Sequence, residues 1–89
     1  MATGLITGAD MGLGFELTKL GLLRGNTMIA IVLHASGENI TGLKSQYGDK
    51  LTIIAADITD EAAIRDAADR ISDKFKQIDF IVNNAGVLF

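Results

Sequence analysis

Apolar positions along the chain gather into four short runs, separated by segments with helical spacing. The runs occupy residues 4–7, 28–33, 51–56 and 80–82. The second and third are nearly all apolar, with no alternation. A strand reads this way when both of its faces are covered, as in a parallel sheet. A buried helix segment can read the same, but these runs are short and rich in Ile and Val, which favours strands.

Between the runs lie three helical patterns. Leu13, Leu17, Leu20 and Leu23 recur at three- and four-residue steps, predicting a helix over residues 13–24. Gly25 and Asn26 then supply a left-handed stop. Gly21 inside that helix costs roughly 1 kcal/mol against Ala, so it marks a close approach to a strand. Residues 38–47 hold Ile40 and Leu43 and end at Gly48. The third pattern is the clearest. Thr59 is placed to cap it, Asp60 and Glu61 suit the positive end of its dipole, and Ile64, Ala67, Ala68, Ile71 and Phe75 share a face. Lys74 and Lys76 fall at its negative end.

Strand and helix therefore alternate three times before a final strand. Helical crossovers of this length make neighbouring strands parallel, giving a layered α/β sheet. With 89 residues this is one small domain, expected to bury about 60–70% of its unfolded surface. The net charge of −3 argues against binding a phosphate backbone, which needs clustered Lys and Arg. The chain has no Cys and a single His, which removes disulfides, thiolate metal sites and a Cys nucleophile; no metal site is expected. Its longest apolar run falls far short of the roughly 20 residues of a membrane span, and the start lacks the pattern of a signal peptide. A soluble, cytoplasmic chain is expected.

The most informative segment is Thr7-Gly8-Ala9-Asp10-Met11-Gly12-Leu13-Gly14, which runs from the end of the first strand into the first helix. One Gly allows a sharp turn off a strand, a second lets backbone approach a diphosphate, and a third lets helix pack on strand. The N–H groups at the helix start then hold the anion, helped by the helix dipole. Ten glycines in 89 residues make chance spacings common, and it is the strand-turn-helix context that gives this one weight. A P-loop is excluded, because no Lys followed by Ser or Thr comes after the last Gly.

This spacing, Thr-Gly-x-x-x-Gly-x-Gly, resembles the cofactor turn of the short-chain dehydrogenase/reductase family. Two further segments agree in order and distance. Asp57-Ile58-Thr59-Asp60 looks like the family's aspartate beside the adenine ring, and Asn83-Asn84-Ala85-Gly86 matches its Asn-Asn-Ala-Gly signature. The resemblance covers essentially the whole chain. It implies a Rossmann-like α/β fold, β-α-β-α-β-α-β in three layers with strand order 3-2-1-4, as a partial dinucleotide-binding domain over residues 1–89. It also implies NAD or NADP as cofactor, held by Gly8, Asp10, Met11, Gly12, Leu13, Gly14, His34, Asp57, Ile58, Asn84, Ala85 and Gly86. Taken singly, Asp57 could instead satisfy backbone N–H groups ahead of Thr59, and Asn83-Asn84 could be an ordinary turn. Asn83 is expected to tie strands together and not to touch ligand.

The choice between NAD and NADP stays open. An acid after the second strand would pair with ribose hydroxyls, and a base would accept a 2′-phosphate. Leu33, His34, Ala35 and Ser36 provide neither, though His34 and Ser36 could hydrogen-bond a phosphate. Asp10 and Met11 stand where many NADP-using members carry a base, which leans the other way.

The family's chemistry is hydride transfer between nicotinamide and a carbonyl or alcohol carbon. It needs a Tyr with a Lys four residues on, and a Ser. The only tyrosine, Tyr47, has Lys50 at three and Leu51 at four, so it is expected to be a surface or packing residue. No catalytic residue is assigned. The chain reads as the cofactor-binding front half of an oxidoreductase, or alternatively as a free-standing nucleotide-binding or self-assembling half-domain. In either case an open edge on the fourth strand, flanked by Ile6, Ile81 and the tail Val87-Leu88-Phe89, is expected to pair two copies into a homo-oligomer.

Overall fold

The computed structural model describes residues 1–84; the expectations for Ala85, Gly86 and the tail Val87-Leu88-Phe89 lie outside the described residues. The elements run β1 (Thr3–Thr7), α1 (Gly12–Leu23), β2 (Thr27–Val32), α2 (Glu38–Tyr47), a 3₁₀ turn (Gly48–Lys50), β3 (Leu51–Ala55), α3 (Glu61–Lys74) and β4 (Phe80–Val82). The strands form one sheet in the order β3-β2-β1-β4, and every pair is parallel. The expected order 3-2-1-4 is the one observed.

The two faces of the sheet follow the two-residue period of a strand. Ile6, Met28, Ala30, Val32 and Leu51 point to one side, where they meet Leu22 of α1 with Ile40 and Leu43 of α2. Leu5, Ile29, Ile31 and Ile54 point to the other, against Ala67 of α3 with Ile71, Phe75 and Ile78 at the margin. Among the described residues, two helices thus cover one face and a single helix covers the other. Tyr47 is a packing residue, half-buried against the first of these cores.

α1 does not present the leucine stripe to the sheet. Leu13, Leu20 and Leu23 are 66%, 42% and 71% exposed, while Gly14, Thr18 and Leu22 are buried. Close packing decides this. A Cβ at Gly21 would come within 2.5 Å of Met28 Sδ, so the inner side of the helix takes small residues beside Leu22, Leu17 is partly buried against the core, and Leu13, Leu20 and Leu23 fall outward. Thr18 survives burial because its hydroxyl donates to Gly14 O at 2.8 Å.

The cap of α3 also differs from expectation. Asp60, not Thr59, is the N-cap; its Oδ1 accepts from the N–H groups of Ala62 and Ala63 at 3.0 and 3.4 Å. Thr59 is held instead by Asp57. The helix stops are as the sequence predicts, with Gly25 at φ 88° and Gly48 at φ 57°. β4 is short and is pinned at its entry by Asp79, whose carboxylate accepts from Thr3 N–H at 2.7 Å and from Gln77 Nε2 at 2.6 Å. Among the described residues, no helix is long and apolar enough to cross a membrane.

Asp60→Ala should cost about 1 kcal/mol, the usual value of an N-cap. Urea unfolding followed by circular dichroism would read this as a lower midpoint with an unchanged slope. An unaltered midpoint would refute the capping role.

Candidate functional site

The chain leaves β1 at Thr7 and enters α1 at Gly12 through a turn that uses positive φ twice, at Gly8 (63°) and Gly12 (59°). Side chains rarely tolerate that region, so both positions call for Gly. The turn is then fixed from three directions. Ala9 N–H donates to Ile31 O at 3.2 Å, which ties it to β2. Asn84 Nδ2 donates to Gly8 O at 3.2 Å, which ties it to the end of β4. Gly14 packs against the same carbonyl: an added Cβ would collide with Gly8 O and come within 2.6 Å of Asn84 Nδ2.

α1 therefore starts almost in contact with the strand it follows. Its N-cap residue, Met11, supplies no side-chain cap, and no acid lies in the first turn. The N–H groups of a first helical turn have no partner within the helix, and the positive end of the dipole lies there. Space is open beyond Gly12, where a side chain would otherwise stand. Backbone donors, a dipole and room for an approaching anion thus coincide.

Beside the turn, at the carboxyl ends of β1, β2 and β3, lies a groove of about 510 Å³. Of the residues expected at a cofactor site, Gly8, Asp10, Met11, Asp57, Ile58 and Asn84 line it. Gly14 is buried behind the turn, whereas Gly12 and Leu13 are exposed at the helix start. His34 is exposed beyond β2 and is not in the groove wall. Leu33 and Thr59, named in the sequence for other reasons, also line it, and Ile31, Val32 and Ala56 complete the wall without having been singled out. Their signal was positional only: they end a parallel strand or follow one, and ligands of open α/β sheets lie outside those ends.

Among the described residues, the groove carries the carboxylates of Asp10 and Asp57 and no Lys or Arg. Asp57 is exposed and organised locally. Its Oδ1 accepts from Thr59 Oγ1 at 2.7 Å and from Thr59 N–H at 2.9 Å. The Thr59 hydroxyl, and after it the Thr59 N–H, hold the carboxyl below its ordinary range, because both donate to the charged form. The turn that the residues alone allowed for Asp57 is thus present, on the wall of the groove. Asn83 links β1 to the end of β4, accepting from Thr7 Oγ1 at 3.1 Å, while Asn84 N–H donates to the same hydroxyl at 2.9 Å. Among the described residues, no cluster of three or more His, Cys, Asp or Glu could hold a metal ion.

The family model for short chain dehydrogenase matches residues 2–88. The chain belongs to the short-chain dehydrogenase family. A protein of Dichelobacter nodosus named as a probable NADP-dependent dehydrogenase is 35% identical over 83 residues, covering 93% of this chain and 76% of that one. The 3beta-hydroxysteroid dehydrogenase 2 of Eggerthella lenta is 34% identical over 89 residues, covering 97% of this chain and 34% of its own length. A short-chain dehydrogenase/reductase structure from Burkholderia multivorans with bound NADP superposes with a TM-score of 0.84 at 33% identity, over 97% of this chain and 37% of that one. The chain thus spans about a third of the length of these last two relatives.

Thr59→Val should raise the Asp57 pKa toward the ordinary carboxylate range, since the strongest donor to the carboxylate is lost. In the wild type, whatever stability Asp57 contributes is present above the unfolded pKa and is lost as pH falls through the lower folded value. Carboxyl carbon shifts followed by NMR against pH would read both points. An Asp57 midpoint identical in the two proteins would overturn the assignment.

Proposed function

We propose that residues 1–89 form the NAD(P)-binding part of an oxidoreductase that moves a hydride between nicotinamide and a carbonyl or alcohol carbon. The observation that carries this reading is the junction of Gly8, Gly14 and Asn84, which leaves an uncapped helix start beside a groove at the strand ends. Those residues fit a diphosphate, because the cradle is backbone, the space beyond Gly12 is open, and a side chain at Gly14 would push the helix start away from the turn. Family membership favours the oxidoreductase over a free-standing nucleotide-binding module.

When bound, the nicotinamide supplies or accepts the hydride. The contribution of this chain is to bind and orient. In this reading the first turn of α1 holds the diphosphate, with Asp10, Met11 and Leu13 at its rim. Asp57 and Ile58 face the adenine, and Asn84 borders the ribose. His34 lies toward the adenosine end, where NAD and NADP are both accommodated by the absence of an acid. Tyr47 is packed outside this groove and is no candidate for proton transfer. The catalytic Ser, Tyr and Lys of the family have no counterparts at the required spacing in these 89 residues.

Calorimetry with NADH and NADPH up to millimolar concentration tests the reading. Heat of binding is expected with at least one of them, and Gly14→Val should abolish it. Gly12→Val should also weaken binding at least tenfold: a Cβ at residue 12 meets nothing nearby, but a β-branched side chain at φ 59° strains the turn that holds the anion. No heat with either nucleotide would sink the proposal. The 89-residue chain itself should show no NADPH oxidation with a panel of ketones, and steady turnover would require a catalyst that this reading does not supply.

The same proposal includes a cytoplasmic setting and a homodimer formed through the outer edge of β4. β1 is the only neighbour of β4 in the sheet among the described residues, and Phe80 and Ile81 are 38% and 64% exposed. An isologous strand pair would bury the same patch on both copies. Light scattering should show association between micromolar and millimolar concentration, reduced by Ile81→Lys. A constant mass of 9.4 kDa would exclude the dimer.

A further inference from the structure

We propose that the outer side of α1 is a docking surface for a second copy of this chain, the two helices packing antiparallel about a two-fold axis. This surface shares no residue with the β4 edge. The helical period picks out Leu13, Leu17, Leu20 and Leu23, yet the sheet takes Gly14, Thr18 and Leu22. At 100° per residue the four leucines fall within an arc of about 120°, turned away from those three buried positions. Leu17 is half-buried, and Leu13, Leu20 and Leu23 are exposed. A row of leucines left on the surface of a helix is the kind of apolar patch that marks a contact between molecules.

Charge identifies the occupant. Glu16 and Lys19 stand in and beside the row, both exposed, and among the described residues neither makes an ion pair. In a parallel pair of α1 helices each would meet its own counterpart, like charge against like. In an antiparallel pair centred near residue 18, Glu16 stands opposite Lys19 of the second copy, and the contact recurs across the axis. The same register sets Leu17 opposite Leu20 and Leu13 opposite Leu23, each matched to within roughly one helical rise of 1.5 Å. The patch is therefore complementary to itself in shape, apolar character and charge. The leucines supply the attraction, and the exposed ion pairs, each worth little, set the direction. Helices about 18 Å long bury less than the roughly 1,200 Å² of a standard interface, so association is weak, in the micromolar to millimolar range.

Sedimentation velocity across that concentration range tests the proposal, on the wild type and on Ile81→Lys, which closes the β4 edge. Ile81→Lys should still associate. Adding Leu20→Glu should weaken that association at least tenfold without changing the circular dichroism spectrum, because Leu20 packs on nothing in the core. Glu16→Lys and Lys19→Glu, each in the Ile81→Lys background, should weaken it at least threefold, since two attractive contacts become repulsive. The two swaps together should return it to within twofold, which neither misfolding nor a general loss of solubility would do. A monomer for Ile81→Lys at every concentration would overturn the inference and leave the β4 dimer standing. Association that Leu20→Glu alters less than twofold would overturn it as well. No recovery in the double swap would overturn the antiparallel pairing. A constant mass of 9.4 kDa for the wild type would exclude both surfaces.

Discussion

The close approach of α1 to β1 is the constraint on which the other features turn. Gly14 has no room for a Cβ because the Gly8 carbonyl already occupies that space. The consequence runs outward in both directions. Toward the groove, the helix start is brought beside the carboxyl ends of the strands, with its N–H groups uncapped. Along the helix, Gly14, Thr18 and Leu22 become the inner side, with Gly21 against Met28. Backbone packing against backbone is worth little in buried apolar area. Its value is positional, because donors fixed in advance need no reorganisation when an anion arrives.

The sheet explains why the two faces differ. Each strand divides its residues between them, yet α1 and α2 cover one side and α3 alone covers the other. On the second side an apolar cavity of about 410 Å³ lies between α3 and the strands, reached by Leu5, Ile31, Ile71 and Ile81. β4, only three residues long, borders it. That strand depends on its ends: Asp79 fastens the entry to Thr3, and Thr7 with Asn83 and Asn84 fastens the exit to the glycine turn. The phosphate turn and the sheet edge are therefore parts of one hydrogen-bonded unit.

Electrostatics in the groove points the same way. Among the described residues, Asp10 and Asp57 are its charged side chains, and no Lys or Arg lines it. Attraction for a diphosphate then comes from oriented N–H groups and the dipole of α1, which act at short range. Such a site discriminates by geometry more than by charge, which suits a chain of net charge −3.

Much of this was legible in the residues. The solid apolar runs announced a sheet covered on both sides, and all four strands stand within about a residue of where those runs lie. The glycine spacing placed the turn, and Gly25 and Gly48 marked the helix stops. Other points were decided only by the tertiary structure. The leucines of α1 satisfy the helical period, but periodicity cannot tell which side must be thin, and the approach to β1 and Met28 turned Leu13, Leu20 and Leu23 outward. Asp57, Thr59 and Asp60 can all cap a helix; backbone direction alone gave the cap to Asp60 and left Asp57 to hold Thr59 on the groove wall. The partner of the Asn84 amide lies 76 residues away in the chain. Local sequence encodes propensity and spacing, which set the elements. Contacts between distant residues exist only once the strands are side by side, and it is these contacts that turned a glycine-rich segment into a fixed site.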